Sequence, residues 1–316
     1  MIPVRSPSHA VYAPPRLVTR LDDCVFYHTM DLPGYGVVGG PWDLRGHVDS
    51  YLGGVEFRGK RVLELGTAGG FLCREMEARG AEVVAFDLSE EFDGDLVPFD
   101  RAESPAVLAE RRRFVRKLNN GWWLAHRACG SSARVVYGSV YDIPAGIGEV
   151  DIATFGSILL HLRDPYRALA SASRLVRETI VVTDSPCHWD RFPAAPAEPP
   201  PEPPGGWRGL LLRLAHRLLG DGGWWGREEQ LRAGLSATAA GYRALLDSPV
   251  TLFLPTAADP EQNQAWWCFR PQTIVAMLGT LGFPHATVTY SDGPLDHGVA
   301  QRLFTVVARR GQSSPA

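Results

Sequence analysis

The sequence predicts an α/β protein built on a mostly parallel sheet, and three observations carry that prediction. Short apolar, β-branched runs alternate with helical stretches from Arg61 onward, the pattern of strands buried on both faces and covered by helices. A small-residue turn, Gly66-Thr67-Ala68-Gly69-Gly70, follows the first of these runs. At such a turn a strand passes into a helix and its backbone can approach a ligand closely. The chain has 316 residues and is 45% hydrophobic, which supplies a real core and excludes global disorder.

In chain order, the apolar runs place strands at 61–66, 82–87, 134–138, 150–155 and 179–184. Helices are expected between them at 69–79, 105–127 and 165–176. A further helix at 270–281 precedes strands at 286–291 and 302–309, which a Gly/Asp/Pro-rich turn region joins as an antiparallel pair closing the sheet. The first 60 residues are rich in Pro, Gly and aromatics and read as an irregular cover. Seven prolines within 193–206 make that stretch an extended linker. It introduces an amphipathic helix around 207–219. The organisation is therefore a cover (1–54), a core (55–185), an insertion (186–263) and a final part of the sheet (264–316). The insertion falls beside the carboxyl ends of the strands, where open α/β sheets bind ligands, and is expected to act as a lid.

With 32 basic and 35 acidic residues the net charge is −3, so no global field favours nucleic acid. Only Lys60 and Lys117 are lysines, which limits any Schiff-base chemistry to two positions. No run reaches the roughly 18 apolar residues of a membrane span; the candidate near Leu210 is broken by Arg213, His216 and Arg217. The Pro-rich amino terminus lacks the apolar core of a secretory signal. Five scattered cysteines, Cys24, Cys73, Cys129, Cys187 and Cys268, form no CxxC pair, which argues against a disulfide scaffold and a zinc site. The expectation is a cytoplasmic protein.

The glycine-rich turn distinguishes two classes of ligand. A dinucleotide fingerprint beginning at Gly66 needs glycine at positions occupied by Ala68 and Phe71. The looser pattern of an acid followed by alternating small residues is met by Glu64, Gly66, Ala68 and Gly70. A carboxylate at Glu64 repels a pyrophosphate but accepts hydrogen bonds from an ammonium group. S-adenosylmethionine carries an ammonium and a sulfonium and no phosphate. Asp87, at the end of the second strand, can take two ribose hydroxyls. Glu64 would serve equally as a partner for a helix dipole, and Asp87 as a helix cap. Gly138-Ser139-Val140-Tyr141-Asp142 lies where an adenine would be read, by Ser139 or Asp142 and the Val140 amide.

These residues resemble the class I S-adenosylmethionine-dependent methyltransferases, over about residues 55–185 and 264–309. Within that superfamily, 64–72, 138–142 and Gly156-Ser157-Ile158-Leu159-Leu160-His161-Leu162-Arg163-Asp164-Pro165 look like the branch around wobble-uridine tRNA carboxymethyl-transferring enzymes. Ala265-Trp266-Trp267-Cys268-Phe269-Arg270-Pro271 is similar to the same branch. The resemblance implies a Rossmann-like fold with a seven-stranded sheet in the order 3-2-1-4-5-7-6. It also implies cofactor contacts at Glu64, Gly66, Thr67, Ala68, Gly70, Asp87, Leu88, Ser139, Val140, Tyr141 and Gly156. Ala68 departs from the branch's usual glycine, and only Trp42-Asp43-Leu44-Arg45 is similar to its substrate region, so the tRNA substrate is not carried over.

Methyl transfer from a sulfonium is an in-line displacement, served by alignment and exclusion of water. A base is needed only where the acceptor must lose a proton. Candidates are His161, after the fourth strand, and Asp184 and His188, after the fifth; each would otherwise be structural. Arg45 can fork onto the cofactor carboxylate. Tyr27, His28, Tyr35 and Trp42 can line the acceptor or meet the sulfonium by cation–π attraction, or simply seal the sheet. The run Arg111-Arg112-Arg113 with Arg116 and Lys117 reads as a solvated helix face offset by Glu103 and Glu110. Expected is methyl transfer to a small molecule, one from secondary metabolism being in keeping with the composition. The alternatives are a tRNA-modifying enzyme, a non-methylating S-adenosylmethionine enzyme, and a non-catalytic nucleoside-binding protein.

Overall fold

The computed structural model describes residues 11–92, 94–96, 104–186, 249–255 and 265–311. Its strands are β1 (Met30–Leu32), β2 (Gly36–Val38), β3 (Trp42–Asp43), β4 (Arg61–Leu65), β5 (Glu82–Asp87), β6 (Arg134–Tyr137), β7 (Val150–Gly156), β8 (Val176–Asp184), β9 (Thr251–Phe253), β10 (Trp267–Phe269), β11 (His285–Asp296) and β12 (Val299–Arg309). The helices are α1 (Val48–Tyr51), α2 (Phe71–Ala78), α3 (Pro105–Ala128), α4 (Pro165–Ser173) and α5 (Pro271–Thr280).

Eight strands form the main sheet in the order β3-β11-β12-β8-β7-β4-β5-β6. From β6 to β8 all neighbours are parallel, and β12 and β11 then run antiparallel. Without β3 this is the expected seven-strand order, the Rossmann-like methyltransferase fold. The chain runs outward from β4 to β6 and crosses back to β7, so the order reverses between β4 and β7. A crevice opens there at the carboxyl ends, the usual ligand position in open α/β sheets.

Alternation along the strands divides the core. Val62, Ile152, Val181 and Val307 face α1, α2 and α3; Leu63, Phe155, Val182 and Phe304 face α4 and α5. Caps set the helix starts: the Ser104 side chain accepts from the Val107 amide and that of Asp164 from the Arg167 amide, each followed by proline in the first turn.

Three features differ from expectation. The cover contributes β3, whose Trp42 and Asp43 pair with Asp296 and Leu295; two residues are too few to show a strand period. The Gly/Asp/Pro-rich region is not the turn of the last hairpin. Pairing continues through it with a register shift between Asp292 and Leu295, and the chain reverses at His297-Gly298. A bulge thus absorbs the breaker residues. The hairpin runs on past Asp184, which pairs with Phe304, and so stands above the carboxyl edge. Finally, Cys268 is disulfide-bonded whereas Cys24, Cys73 and Cys129 are free thiols, a single pairing that the scattered cysteine spacing did not announce. The Pro-rich stretch, the helix around 207–219 and His188 lie outside the described residues. Among the described residues no helix is long and apolar enough to cross a membrane.

Packing of the cover on α3 yields one stability prediction. A Cβ at Gly121 would stand 2.5 Å from the Val25 carbonyl oxygen, and Val25 cannot retreat, because its amide donates to Lys117 O at 3.0 Å. Alanine normally favours a helix interior over glycine by about 0.5–1 kcal/mol. Here Gly121→Ala is expected to destabilise by about 1–3 kcal/mol instead, since overpacking prevails. Urea unfolding measures it, and a stabilised variant would show that the cover does not press on α3.

Candidate functional site

β4 delivers the chain into a loop that is left-handed at Gly66 (φ 81°), Ala68 (φ 50°) and Gly70 (φ 81°). Alanine pays for that conformation where glycine does not. A hydrogen bond offsets the strain at Ala68: its amide donates to Asp87 Oδ2 at 2.6 Å. Asp87 Oδ1 accepts from the Leu88 amide at 2.7 Å, and Gly66 and Thr67 both donate to Phe86 O. The loop is thereby stitched to the end of β5. Asp87 is 9% exposed, and burial pushes its carboxyl up while the Leu88 and Ala68 amides pull it down.

Glu64 lies beneath this loop. Its Oε2 accepts from the Thr67 hydroxyl at 2.6 Å, and the carboxyl also takes the Cys73 amide near the start of α2. The helix-partner role is therefore present. Burial pushes Glu64 up to about 8.

Across the crevice, β7 ends at Gly156 and Ser157 turns left-handed (φ 52°). Ile158 packs on the loop so closely that a Cβ at Gly66 would lie 2.4 Å from its Cγ2. Beyond β6, Gly138 donates to Asp87 O at 2.9 Å, and the Ser139 hydroxyl and carbonyl accept from Tyr141 and Asp142 respectively. Val140 is buried. The Tyr141 hydroxyl donates to Asp95 and accepts from the Asp164 amide, while Asp95 also accepts from the Arg163 amide. Tyr141 thus ties together the segments after β5, β6 and β7, a structural task that its sequence position did not disclose. Leu88 supplies its carbonyl to Asn119 Nδ2 at 3.2 Å.

The structure places the remaining candidates in three groups. Asp184 ends β8, 2% exposed; its Oδ1 accepts from Ser185 at 2.8 Å, and burial pushes it up to about 7. His161 closes the 3-10 turn Leu159–His161 after β7. In the cover, Tyr27, His28 and Trp42 come together. The His28 ring stacks on Phe71 and meets Tyr27 edge-on, Trp42 donates to Tyr27 O at 3.1 Å and its carbonyl accepts from Thr29. Burial pushes His28 down to about 4, leaving a neutral imidazole.

Two candidates go elsewhere. Arg45 forks onto Asp43 at 2.9 and 2.7 Å, with Asp31 at 3.6 Å; neighbouring carboxylates on β1 and β3 take the guanidinium intended for the cofactor. Tyr35 donates to Thr19 O and accepts from Arg127 at the far end of α3, by the amino ends of the strands. Local composition carried no sign of either partner.

Three buried polar atoms lack a hydrogen-bond partner in these walls: His28 Nδ1, Asn119 Oδ1 and Thr154 Oγ1. Buried polar groups are normally bonded, so these atoms keep hydrogen-bonding capacity toward the crevice. Asn119 and Tyr51, which adjoin it, were missed. Each belongs to a helix in which spacing reports only burial. A cavity of about 550 Å³ lies to one side, between cover and hairpin tip, lined by Phe26, Thr29, Pro41, Asp43, His297 and neighbouring glycines.

Residues 47–192 match a family model described as a methyltransferase domain. No curated protein matches the chain. Among solved structures, magnesium protoporphyrin IX methyltransferase from Synechocystis PCC 6803 with bound S-adenosylhomocysteine is similar at 12% identity and a TM-score of 0.42, over 85% of this chain and 82% of that one. A 1,6-didemethyltoxoflavin-N1-methyltransferase from Burkholderia thailandensis is similar at 14% identity and a TM-score of 0.41, over 84% and 76%. The N-terminal domain of EvdMO1, in the presence of S-adenosylhomocysteine and D-fucose, gives 14% and 0.44, over 92% and 93%.

Proposed function

We propose that this chain is a class I S-adenosylmethionine-dependent methyltransferase that methylates a small-molecule acceptor, a reading supported by its matched methyltransferase domain and its sheet order. The observation that carries the cofactor assignment is the triple left-handed loop Gly66–Gly70 tied to Asp87 at the next strand end. Asp87 would take ribose hydroxyls on its remaining lone pairs, with Asn119 Oδ1 as a further acceptor. Glu64, below the loop, offers a carboxylate to the ammonium. Bound S-adenosylmethionine supplies an activated methyl group on sulfur.

The chain's own residues then align and enclose. Gly156 bounds the crevice opposite the glycine loop, and the Tyr27–His28–Trp42 group closes it from the cover. Asp184 or His161 would accept a proton from an acceptor that must lose one. Asp184, which takes the Ser185 and Leu160 amides and is pushed by burial up to about 7, lies near the range where a base works well at neutral pH.

A small acceptor is favoured over a nucleic acid by two features. The lateral depression, open to solvent, is large enough to seat a small molecule. On α3, Arg116 pairs with Glu90 and Lys117 donates to Asp22 O, so those cations answer the protein's own groups. The test is incubation with S-adenosylmethionine and mass spectrometry of the nucleoside products. S-adenosylhomocysteine formed only with a low-molecular-mass cell extract supports the proposal. Its formation only with an RNA fraction overturns the small acceptor, and methylthioadenosine without extract overturns methyl transfer.

A further inference from the structure

Tyr51 takes no part in the reading above, yet it is held more firmly than packing requires. It ends α1 with 3% of its surface exposed. Its carbonyl accepts the hydroxyls of Thr183 at 2.5 Å and Thr305 at 3.0 Å, fixing the residue to β8 and β12. The phenol then crosses the end of β7. A Cβ at Gly156 would stand 2.9 Å from Tyr51 Oη, so only glycine leaves room, and Oη lies 3.3 Å from Ser157 Oγ. Burial raises the phenol above its ordinary range; it stays protonated and can donate to Ser157.

Ser157 is the residue that needs holding. Its φ of 52° is free for glycine and strained for serine, and such strain persists only where the surroundings impose it. Two contacts do so: the Ser157 amide donates to Thr183 O at 2.8 Å, and the side chain meets Tyr51. The turn sets the next residue, Ile158, directly against Gly66.

We infer that Tyr51 is a positioning residue: its phenol, bonded to Ser157 beside Gly156, holds the 156–158 turn left-handed and so sets the spacing between that turn and the glycine loop. The assignment rests on the reading of this crevice as the cofactor seat. Extended backbone at Ser157 would carry Ile158 off Gly66 and alter the space into which the cofactor fits.

The experiment is calorimetric titration with S-adenosylhomocysteine of the full chain and the variants Tyr51→Phe, Ser157→Ala, Ser157→Gly and Tyr51→Phe/Ser157→Gly. Tyr51→Phe and Ser157→Ala are each expected to weaken binding about tenfold, the scale of one hydrogen bond. Ser157→Gly should stay within about threefold of the unaltered chain, and the double variant should match it, because glycine holds the turn without a clamp. A purely structural tyrosine would lower the melting temperature and leave affinity unchanged. Unaltered affinity in Tyr51→Phe, or a double variant as weak as Tyr51→Phe, overturns the assignment alone. If Tyr51→Phe does not fold, the contrast between Ser157→Ala and Ser157→Gly decides, and equal affinities overturn it. Failure of the unaltered chain to bind overturns the cofactor reading and the assignment with it.

Discussion

Replacing Asp87 with alanine is expected to weaken S-adenosylhomocysteine binding about a hundredfold or more, the loss of two charge-assisted hydrogen bonds to ribose hydroxyls. The effect has a second source. Asp87 holds the Ala68 amide at 2.6 Å and the Leu88 amide at 2.7 Å, and without it both donors lie unsatisfied at a buried strand end. That costs about 1–3 kcal/mol each and releases Ala68 from its left-handed conformation. Asp87→Asn keeps one acceptor oxygen and should lose less in both respects. Calorimetry and urea unfolding together separate the two losses. Affinity unchanged in Asp87→Ala would remove the crevice from consideration as a nucleoside site.

Stability of the ligand-free protein is expected to fall as pH rises from about 5 to about 8, and Glu64→Gln should remove much of that slope. Burial pushes Glu64 up to about 8 and Asp184 up to about 7, whereas unfolded carboxyls titrate near 4. Between those limits the folded chain binds protons that the unfolded chain has released, so the stability slope with pH is negative. The contribution is complete below about 4 and is lost as pH passes through the folded values. For Glu64 it is on the order of 3 kcal/mol across the window. Glutamine keeps an oxygen for the Thr67 hydroxyl and the Cys73 amide, and it cannot ionise. Denaturant unfolding at several pH values checks this. A flat profile, equal in both proteins, would mean that Glu64 is ionised in the folded chain. An ammonium within reach of Glu64 would make binding release the same proton, so S-adenosylhomocysteine affinity should rise with pH over that window.

The sheet was legible because its signals are local. Buried parallel strands such as Val83–Phe86 and Ile180–Val182 are continuous apolar runs, and their alternation with helical stretches leaves few topologies. Gly66 and Gly70 announced a left-handed turn, since few other residues take that conformation freely. Ala68 did not; its backbone state depends on Asp87, a partner on another strand. The candidates in the cover fared unevenly for a related reason. Tyr27, His28 and Trp42 meet because β3 joins the end of the sheet, and the same strand draws Arg45 onto Asp43.

By itself, then, the sequence determined the parallel strands, the helices between them and the glycine turn, and hence which strand ends meet at the crevice, because these follow from periodicity and conformational preference over a few residues. The tertiary structure alone decided which polar groups complete the site. It set Asp87 on the Ala68 amide, Tyr141 on Asp95 and Tyr51 against Ser157. Hydrogen bonds between residues 19 to 106 positions apart leave no period or spacing in the chain; they exist only once the strands have brought their ends together.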